Sequence, residues 1–122
     1  EAAHWAGLRT TSTIMAGHLE YGPTTWAAHL DALRQLQYRT GGITEFVPLP
    51  FVHMEAPVYL KGGARRGPTL RECVLLHAVA RLALFPAITN IQASWVKMGP
   101  ERASALLLRA GCNDMGGTLM NE

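Results

Sequence analysis

The chain alternates between strand-like and helix-like segments, and this order is the strongest constraint on its fold. Segments rich in β-branched or alternating apolar residues lie at 9–17, 43–49, 90–96 and 114–120. Helices are predicted over 23–39, from 69 to just before Pro86, and from 100 to 111. Strands that alternate with helices pack as a parallel sheet with right-handed crossovers. The pattern therefore predicts an α/β fold.

The length of the repeating unit indicates which α/β fold to expect. A complete eight-stranded barrel uses roughly 250 residues, or about 31 for each strand and its helix. A chain of 122 residues then holds four such units. We therefore expect residues 1–122 to form a single domain, a parallel (β/α)4 half of a TIM-type barrel, as a fragment of a larger protein. A small four-stranded flavodoxin-like sheet is the alternative.

The surface of the chain is poor in charge. Charged residues make up 16% of the sequence, whereas soluble domains carry roughly 25%. A small domain has a large surface for its volume and needs more charge rather than less. An open half-barrel would also expose two sheet edges. We therefore expect part of the surface to be covered, in a homo-oligomer that closes the sheet.

Composition also argues against several classes of protein, namely nucleic-acid-binding, membrane-spanning and secreted proteins. The basic residues are spread along the chain and the net charge is only +2, which argues against nucleic acid. No apolar run reaches the roughly 18 residues of a membrane span, and no signal peptide is evident. The two cysteines, Cys73 and Cys112, form no metal or disulfide pattern, and we expect both to be small, buried, apolar residues. A cytoplasmic location is the expectation.

Polar residues cluster where the predicted strands end. His18-Leu19-Glu20 follows the first strand, and His53-Met54-Glu55 follows the second. In a barrel these exits carry the chemistry. Imidazole and carboxylate together can relay a proton or bind a metal. A metal-dependent hydrolase-like half-barrel using His18, Glu20, His53 and Glu55 is therefore one hypothesis, and chance pairing in surface loops is the other.

The third predicted strand alternates between polar and apolar residues. One face carries Asn90, Gln92 and Ser94, and the other carries an apolar set, Ile91, Ala93 and Trp95. Unpaired buried polar groups each cost on the order of 1–3 kcal/mol. The polar face therefore either contacts a polar ligand or satisfies its own hydrogen bonds. Glu45, inside the second strand, either pairs with a base such as Arg9 or lies at an exposed edge.

Four long strings resemble one enzyme family. They are GLRTTSTIMAGH at 7–18, TGGITEFVPLPF at 40–51, NIQASWVK at 90–97 and NDMGGTLMNE at 113–122. They look like the tyrosine-handling, radical-SAM half of the FO synthase family, which works in the pathway to deazaflavin coenzyme F420. Radical-SAM enzymes of the futalosine route to menaquinone look similar but share the strings less closely, and they are the alternative.

The resemblance implies a barrel that binds S-adenosylmethionine and a [4Fe-4S] cluster. The family holds the cluster with a C-x3-C-x2-C loop after the first strand and generates a 5′-deoxyadenosyl radical. That radical would attack tyrosine, and the resulting fragment would join a ribitylaminouracil. The three-cysteine loop is absent from this sequence, so the resemblance covers the fifth to eighth strands. We expect the chain alone to hold no metal and to be inactive.

The resemblance also implies site residues. Radical-SAM barrels often carry G-x-I-x-G-x-x-E on the fifth strand, and Thr13, Met15, Gly17 and Glu20 have that spacing here. Met15 would touch the adenine of the cofactor, Gly17 would allow close approach, and Glu20 would anchor the turn. The substrate side would be lined by His18, Glu45, His53, Asn90, Gln92, Ser94 and Thr118.

Overall fold

The computed structural model describes residues 1–20 and 22–117 of the chain. In chain order its elements are α1 (Ala2–Trp5), β1 (Thr10–Ala16), α2 (Pro23–Thr40), β2 (Ile43–Pro50), α3 (Pro57–Leu60), α4 (Leu70–Leu84), α5 (Trp95–Met98) and α6 (Pro100–Arg102), the last continued by a π-helical turn, Ala103–Leu107. The helix predicted over 100–111 is thus a short helix followed by this turn. Within the described residues, no helix is long and apolar enough to cross a bilayer.

The sheet is built on β1 and β2, which pair in parallel. The register runs from Thr10 opposite Ile43 to Ala16 opposite Pro50, with a bulge after Thr10. The two strands are joined through α2, as the sequence pattern predicts. Their pairing confirms the parallel α/β architecture.

Two further segments extend the sheet by one parallel bridge each. Ile91 bridges to Phe46, and Asp114 bridges to Gln92. The backbone N–H of Phe46 donates to the Asn90 carbonyl at 2.9 Å, and the Phe46 carbonyl accepts from Gln92 N–H at 3.0 Å. The four segments therefore lie side by side in chain order. Closure into half of a barrel remains a prediction.

Local sequence explains where α2 begins and ends. Pro23 occupies the first turn, where its missing N–H costs nothing. Gly41 ends the helix in the left-handed conformation at φ +63°. The Gln37 side chain then donates to the carbonyls of Ile43 and Ala87 at 2.9 and 3.0 Å, and its oxygen accepts from Ile43 N–H at 2.8 Å. This one amide ties the end of α2 to the start of β2.

The helix predicted from residue 69 begins with a capping box at Thr69, at the start of α4. The Thr69 hydroxyl accepts from Glu72 N–H at 3.2 Å, and the Glu72 carboxylate accepts from Thr69 N–H at 2.7 Å. These bonds satisfy two N–H groups that a helix start otherwise leaves open. The position of the helix that covers β2 is therefore determined by local sequence.

The core has two parts. The larger cluster lies between the sheet and helices α2 and α4, and its buried members are Ile14, Ala16, Leu30, Ile43, Phe46, Leu76, Ala80, Leu84, Ile88 and Ile91. The smaller cluster comprises Ala93, Ala103, Leu107 and Cys112. Both cysteines are buried and free, which confirms the prediction that they act as small apolar residues.

The third predicted strand, 90–96, is wrong beyond residue 92. Ile91 and Gln92 make bridges, but the chain turns into α5 at Trp95. Trp95 and Met98, three positions apart, both pack against the smaller cluster, a spacing that a helical turn satisfies and a strand does not. The Gly99 N–H donates to the Trp95 carbonyl at 2.7 Å and closes the turn.

The fourth predicted strand, 114–120, lies partly outside the described residues. Asp114 makes its one bridge to Gln92, and Thr118 lies outside the described part of the chain. Arg81 of α4 holds this region. Its guanidinium donates to the carbonyls of Gly111 and Thr89 at 2.8 and 2.7 Å, and to the Asn113 side chain at 3.0 Å.

Two leucines on α4 provide a test of this packing. Leu84 is fully buried, whereas Leu82 is 82% exposed. We expect Leu84→Ala to lower the free energy of unfolding by about 3–5 kcal/mol, because it leaves a cavity. Leu82→Ala, with the same change in chemistry, should cost less than about 0.5 kcal/mol. Urea unfolding followed by circular dichroism measures both, and equal losses would contradict the assigned faces of α4.

Candidate functional site

The turn after β1 is organised around one carboxylate. Glu20 accepts hydrogen bonds from the backbone N–H groups of Gly17 and His18, the latter at 2.8 Å. Its Oε1 also accepts from the Trp26 indole N–H at 3.0 Å, and the Arg65 guanidinium lies 3.8 Å away. The side chain therefore holds the strand exit in shape and links it to α2.

These contacts determine the charge state of Glu20. Partial burial acts to raise its pKa, but hydrogen bonds from the backbone of Gly17, Glu20 itself and His18, and from Trp26, outweigh burial and lower the pKa overall. The carboxylate is therefore ionised at neutral pH. Because its oxygens already accept from the backbone and the indole, it is poorly placed as a metal ligand or a proton carrier.

Gly17 is enclosed by the chain itself. It has φ +81°, a conformation that side chains rarely adopt. A Cβ at this position would overlap the backbone of Gly67–Pro68, the end of the long loop between β2 and α4. The absence of a side chain therefore lets this loop pack directly against the strand exit. Close approach of a cofactor to Gly17 remains a prediction.

The face of β1 that carries Thr13 and Met15 is open. Thr13 is exposed, and Met15 is 52% exposed, beside Leu49 on β2. The opposite face, with Ile14 and Ala16, is buried under the helices. The exposed Met15 and the half-buried Leu49 form an apolar ledge, on which a flat aromatic group can pack. The contact of Met15 with an adenine remains a prediction.

The two H-x-E motifs do not form a shared ligand set. The His18 ring packs edge-on against Phe51 at 4.8 Å, and the His53 ring packs in the same way against Tyr59 at 4.7 Å. Glu55 is exposed. Residues 1–20 and 22–117 bring together no group of three ligating side chains that could hold a metal ion. The hydrolase-like hypothesis therefore lacks geometric support.

A cavity of about 180 Å³ opens beside the β1 exit. Its lining residues are His18, Leu19, Glu20, Gly62, Gly63, Ala64 and Arg65. The backbone N–H of Arg65 donates to the His18 carbonyl at 3.1 Å, and its guanidinium bonds Glu72 at 2.9 Å. The long loop is thereby attached to the strand exit along one wall of the cavity.

Glu45 meets a second carboxyl group rather than a base. Burial raises the pKa of Glu45, and a hydrogen bond with Asp114, together with the negative charge of that group, raises it further. Neither an ion pair with Arg9 nor an isolated exposed edge describes this position. The Glu45 carboxyl therefore takes up a proton more readily than an isolated glutamate does.

The polar residues predicted on the third strand have different roles. Asn90 donates to the Thr44 carbonyl at 3.2 Å and accepts from the Asn113 side chain at 3.2 Å, so its amide joins neighbouring segments. The Gln92 amide lies over Gly116, where an added Cβ would meet it. Ser94 precedes α5, and its side chain makes no capping bond there.

Sequence reasoning missed three residues that shape this region. Asp114 and Asn113 meet β2 and the third segment only through tertiary pairing, and no local pattern marks them. Arg65 was one of two adjacent arginines in a long loop, with nothing to indicate which would pair with the carboxylates. Glu72, the capping glutamate of α4, pairs with Arg65 and could have indicated an acidic partner for this loop.

Gly17 and Gly7 provide a matched pair of substitutions. Both have φ +81°, but an added Cβ at Gly7 meets nothing within 4 Å, whereas one at Gly17 overlaps Gly67–Pro68. Gly7→Ala should cost about 1–2 kcal/mol of unfolding free energy, from the left-handed backbone alone. Gly17→Ala should cost at least about 2 kcal/mol more, because of the overlap. Thermal unfolding tests the difference, and equal costs would show that the loop does not pack against the turn.

The Glu45 pair has a pH-dependent consequence. Because the pKa of Glu45 is raised on folding, the folded state binds more protons. The stability gained is present below the ordinary pKa of 4.5 and is lost as pH rises through the raised value. Glu45→Gln should therefore stabilise the chain by on the order of 0.5 kcal/mol at pH 7. The gain should shrink towards pH 4 in urea unfolding; a gain independent of pH would contradict the raised pKa of Glu45.

Comparison with known proteins identifies the family. Residues 40–122 match the sequence model of the CofH/MqnC C-terminal region. The chain is 58% identical over 120 residues to an FO synthase of Mycobacterium leprae, with 98% of this chain and 14% of that protein covered. It is 57% identical over 122 residues to an FO synthase of Streptomyces coelicolor, covering all of this chain and 14% of that protein.

A shorter relative matches equally well. The 5-amino-6-(D-ribitylamino)uracil–L-tyrosine 4-hydroxyphenyl transferase of Methanopyrus kandleri is 55% identical over 120 residues, which cover 98% of this chain and 32% of that protein. The chain thus spans between a seventh and a third of the relatives that it matches. Since the family model covers most of its length, the chain belongs to the CofH/MqnC C-terminal region family.

Proposed function

We propose that this chain supplies the second half of the catalytic barrel of an FO synthase, in the pathway to coenzyme F420. The reaction joins a fragment of tyrosine to 5-amino-6-(D-ribitylamino)uracil. The observation that carries this proposal is the 55–58% identity, over nearly the whole chain, to relatives bearing these names. The family model also includes the futalosine-route enzymes; the names of the nearer relatives favour FO synthase.

The arrangement of the sheet supports a half-barrel. Four segments lie in parallel and in chain order, and helices α2 and α4 bury one face. The other face carries Thr13, Met15 and Glu45, which in a closed barrel would face the lumen. The edge of β1 has no strand beside it among the described residues. The rest of the barrel would pair there, and association with a second copy stays a prediction.

We propose that the cluster ligands lie outside this chain. Burial raises the pKa of the Cys73 thiol to about 11 and that of Cys112 to about 11. Iron–sulfur clusters are held by cysteine thiolates. Two buried, protonated thiols, Cys73 within α4 and Cys112 in the irregular segment after Leu107, do not fit that requirement. We therefore derive no step through a cluster held by these residues.

The open ledge of β1 fits the adenine end of S-adenosylmethionine. Met15 and Leu49 offer apolar contact beside the hydroxyl of Thr13, and Glu20 holds the adjoining turn rigid. When bound together with its cluster, this cofactor supplies radical chemistry. The contribution of the chain is to orient the adenosyl group and to exclude water from it.

The substrate side would lie across the same face, towards the third and fourth segments. We assign Gln92 and Ser94 as polar contacts, with Asn90 positioning the segment through its bonds to Thr44 and Asn113. Glu45, whose pKa is raised by burial and by Asp114, can hold a proton at a carboxyl oxygen. His18 and His53, each packed edge-on against an aromatic ring, would border the substrate side, and Thr118 stays a proposed substrate contact on the basis of the family resemblance.

The complete gene product that contains residues 1–122 provides the test of function. It should be reconstituted anaerobically with iron and sulfide and given a reductant, S-adenosylmethionine, L-tyrosine and 5-amino-6-(D-ribitylamino)uracil. We expect 5′-deoxyadenosine and the coupled product, detected by mass spectrometry. Residues 1–122 alone should form neither cluster nor product. A stoichiometric cluster on this piece would overturn the assignment, and turnover with a futalosine-route substrate instead of tyrosine would favour the alternative.

Substitutions in the complete protein test whether Gln92 and His18 belong to the substrate side. Gln92→Leu should lower the coupled product by about tenfold or more while iron content stays unchanged, because the lost contact orients substrate. Gln35→Leu, the same change on the exposed face of α2, should leave both unchanged. His18→Ala should also reduce coupling more than cluster content. Unchanged coupling in Gln92→Leu would remove that residue from the site.

A further inference from the structure

A second cavity lies between the end of β2, the end of the long loop and helices α4, α5 and α6. Its volume is about 190 Å³, and its lining residues are Pro50, Phe51, Val52, Arg66, Gly67, Pro68, Leu70, Cys73, Lys97, Met98 and Arg102. It shares no lining residue with the cavity beside the β1 exit. It opens where β2 ends, which is the end of a parallel sheet where ligands bind in barrels.

Three cations converge on this cavity. Arg66 comes from the long loop, Lys97 from α5 and Arg102 from α6. No carboxylate stands among the described residues that line it. Glu101 lines a neighbouring depression with Arg102 instead. The cavity therefore concentrates positive charge.

The two adjacent arginines of the long loop differ in their partners. Arg65 is balanced by Glu72 at 2.9 Å and Glu20 at 3.8 Å. Arg66, the next residue, donates to the neutral Tyr59 hydroxyl at 3.2 Å. The guanidinium of Arg65 therefore contacts carboxylates, whereas that of Arg66 lines a cavity that has no carboxylate among its described lining residues.

The electrostatic repulsion among the three cations indicates that the cavity binds an anion. Like charges that share a partly enclosed space repel one another, and a bound anion relieves the repulsion. Arginine and lysine are the residues that recognise carboxylates and phosphates. The remaining wall is apolar, with Val52, Leu70 and Met98, so it can bury a carbon skeleton attached to the anionic group.

We propose that this cavity binds an organic oxyanion with more than one negative charge, as carboxylate or phosphate groups. The three cations would contact the oxygens, and the apolar wall would contact the remainder of the ligand. The site is separate from the predicted contacts of S-adenosylmethionine on β1. It is also independent of the proposed function, since binding is measured without turnover.

Equilibrium binding tests this proposal in the complete gene product that contains residues 1–122. Inorganic pyrophosphate and citrate, at matched ionic strength with sodium chloride as background, represent phosphate and carboxylate ligands in isothermal titration calorimetry. We expect at least one to bind. Arg66→Gln, Lys97→Gln and Arg102→Gln should each weaken that binding by at least about tenfold. Arg109→Gln, which removes an exposed arginine outside the cavity, should leave it unchanged.

Each result of the titrations either identifies the class of ligand or overturns the proposal. Binding of pyrophosphate alone identifies a phosphate site, and binding of citrate alone identifies a carboxylate site. Absence of binding by both probes overturns the proposal. So does equal weakening by Arg109→Gln, which would show a diffuse charge effect. Lys97 and Arg102 are exposed, so their variants should keep the wild-type melting temperature, and the same melts verify that each variant is folded.

Discussion

The guanidinium of Arg81 holds together the half of the structure that has little regular pairing. It donates to the carbonyls of Thr89 and Gly111 and to the Asn113 side chain. Asn113 in turn accepts from the Ile91 N–H at 2.8 Å. Each of the last two parallel segments makes only one bridge to the sheet, so side-chain bonds supply much of their attachment. The polar groups assigned to the substrate side beyond β2 therefore depend in part on a side chain of α4.

The elements with local signals were predicted well, and the others were not. Proline, glycine and a capping box mark the ends of α2 and α4, and β-branched residues mark β1. Residues 90–96 alternate in burial as expected as far as Ala93, so their pattern favoured a strand. The helical turn at Trp95 depends on packing against Ala103 and Leu107, which are distant in sequence. Periodicity carries no information about such a contact.

In the candidate site, too, features with a local sequence signal were predicted and features that depend on tertiary contacts were not. The family resemblance implied Glu20 as an anchor, and its partners lie only two and three residues away. Glu45 needed knowledge of Asp114, far along the chain, whereas the sequence suggested a base such as Arg9 or an exposed edge. The charge balance of Arg65 and the different direction of Arg66 depend on how the long loop folds. Residue types identified the chemistry available, while tertiary contacts determined which groups meet.

The attachment of the long loop restricts how a ligand can reach the strand exits. Phe51 N–H donates to the Ala16 carbonyl at 2.9 Å, at the start of the loop. Near its end, Arg65 bonds His18, and Gly67–Pro68 lies against Gly17. A segment pinned at both ends to the same turn cannot swing open as a hinged lid. Within the described residues, access to the strand exits therefore depends on the exposed face of the sheet and not on movement of this loop.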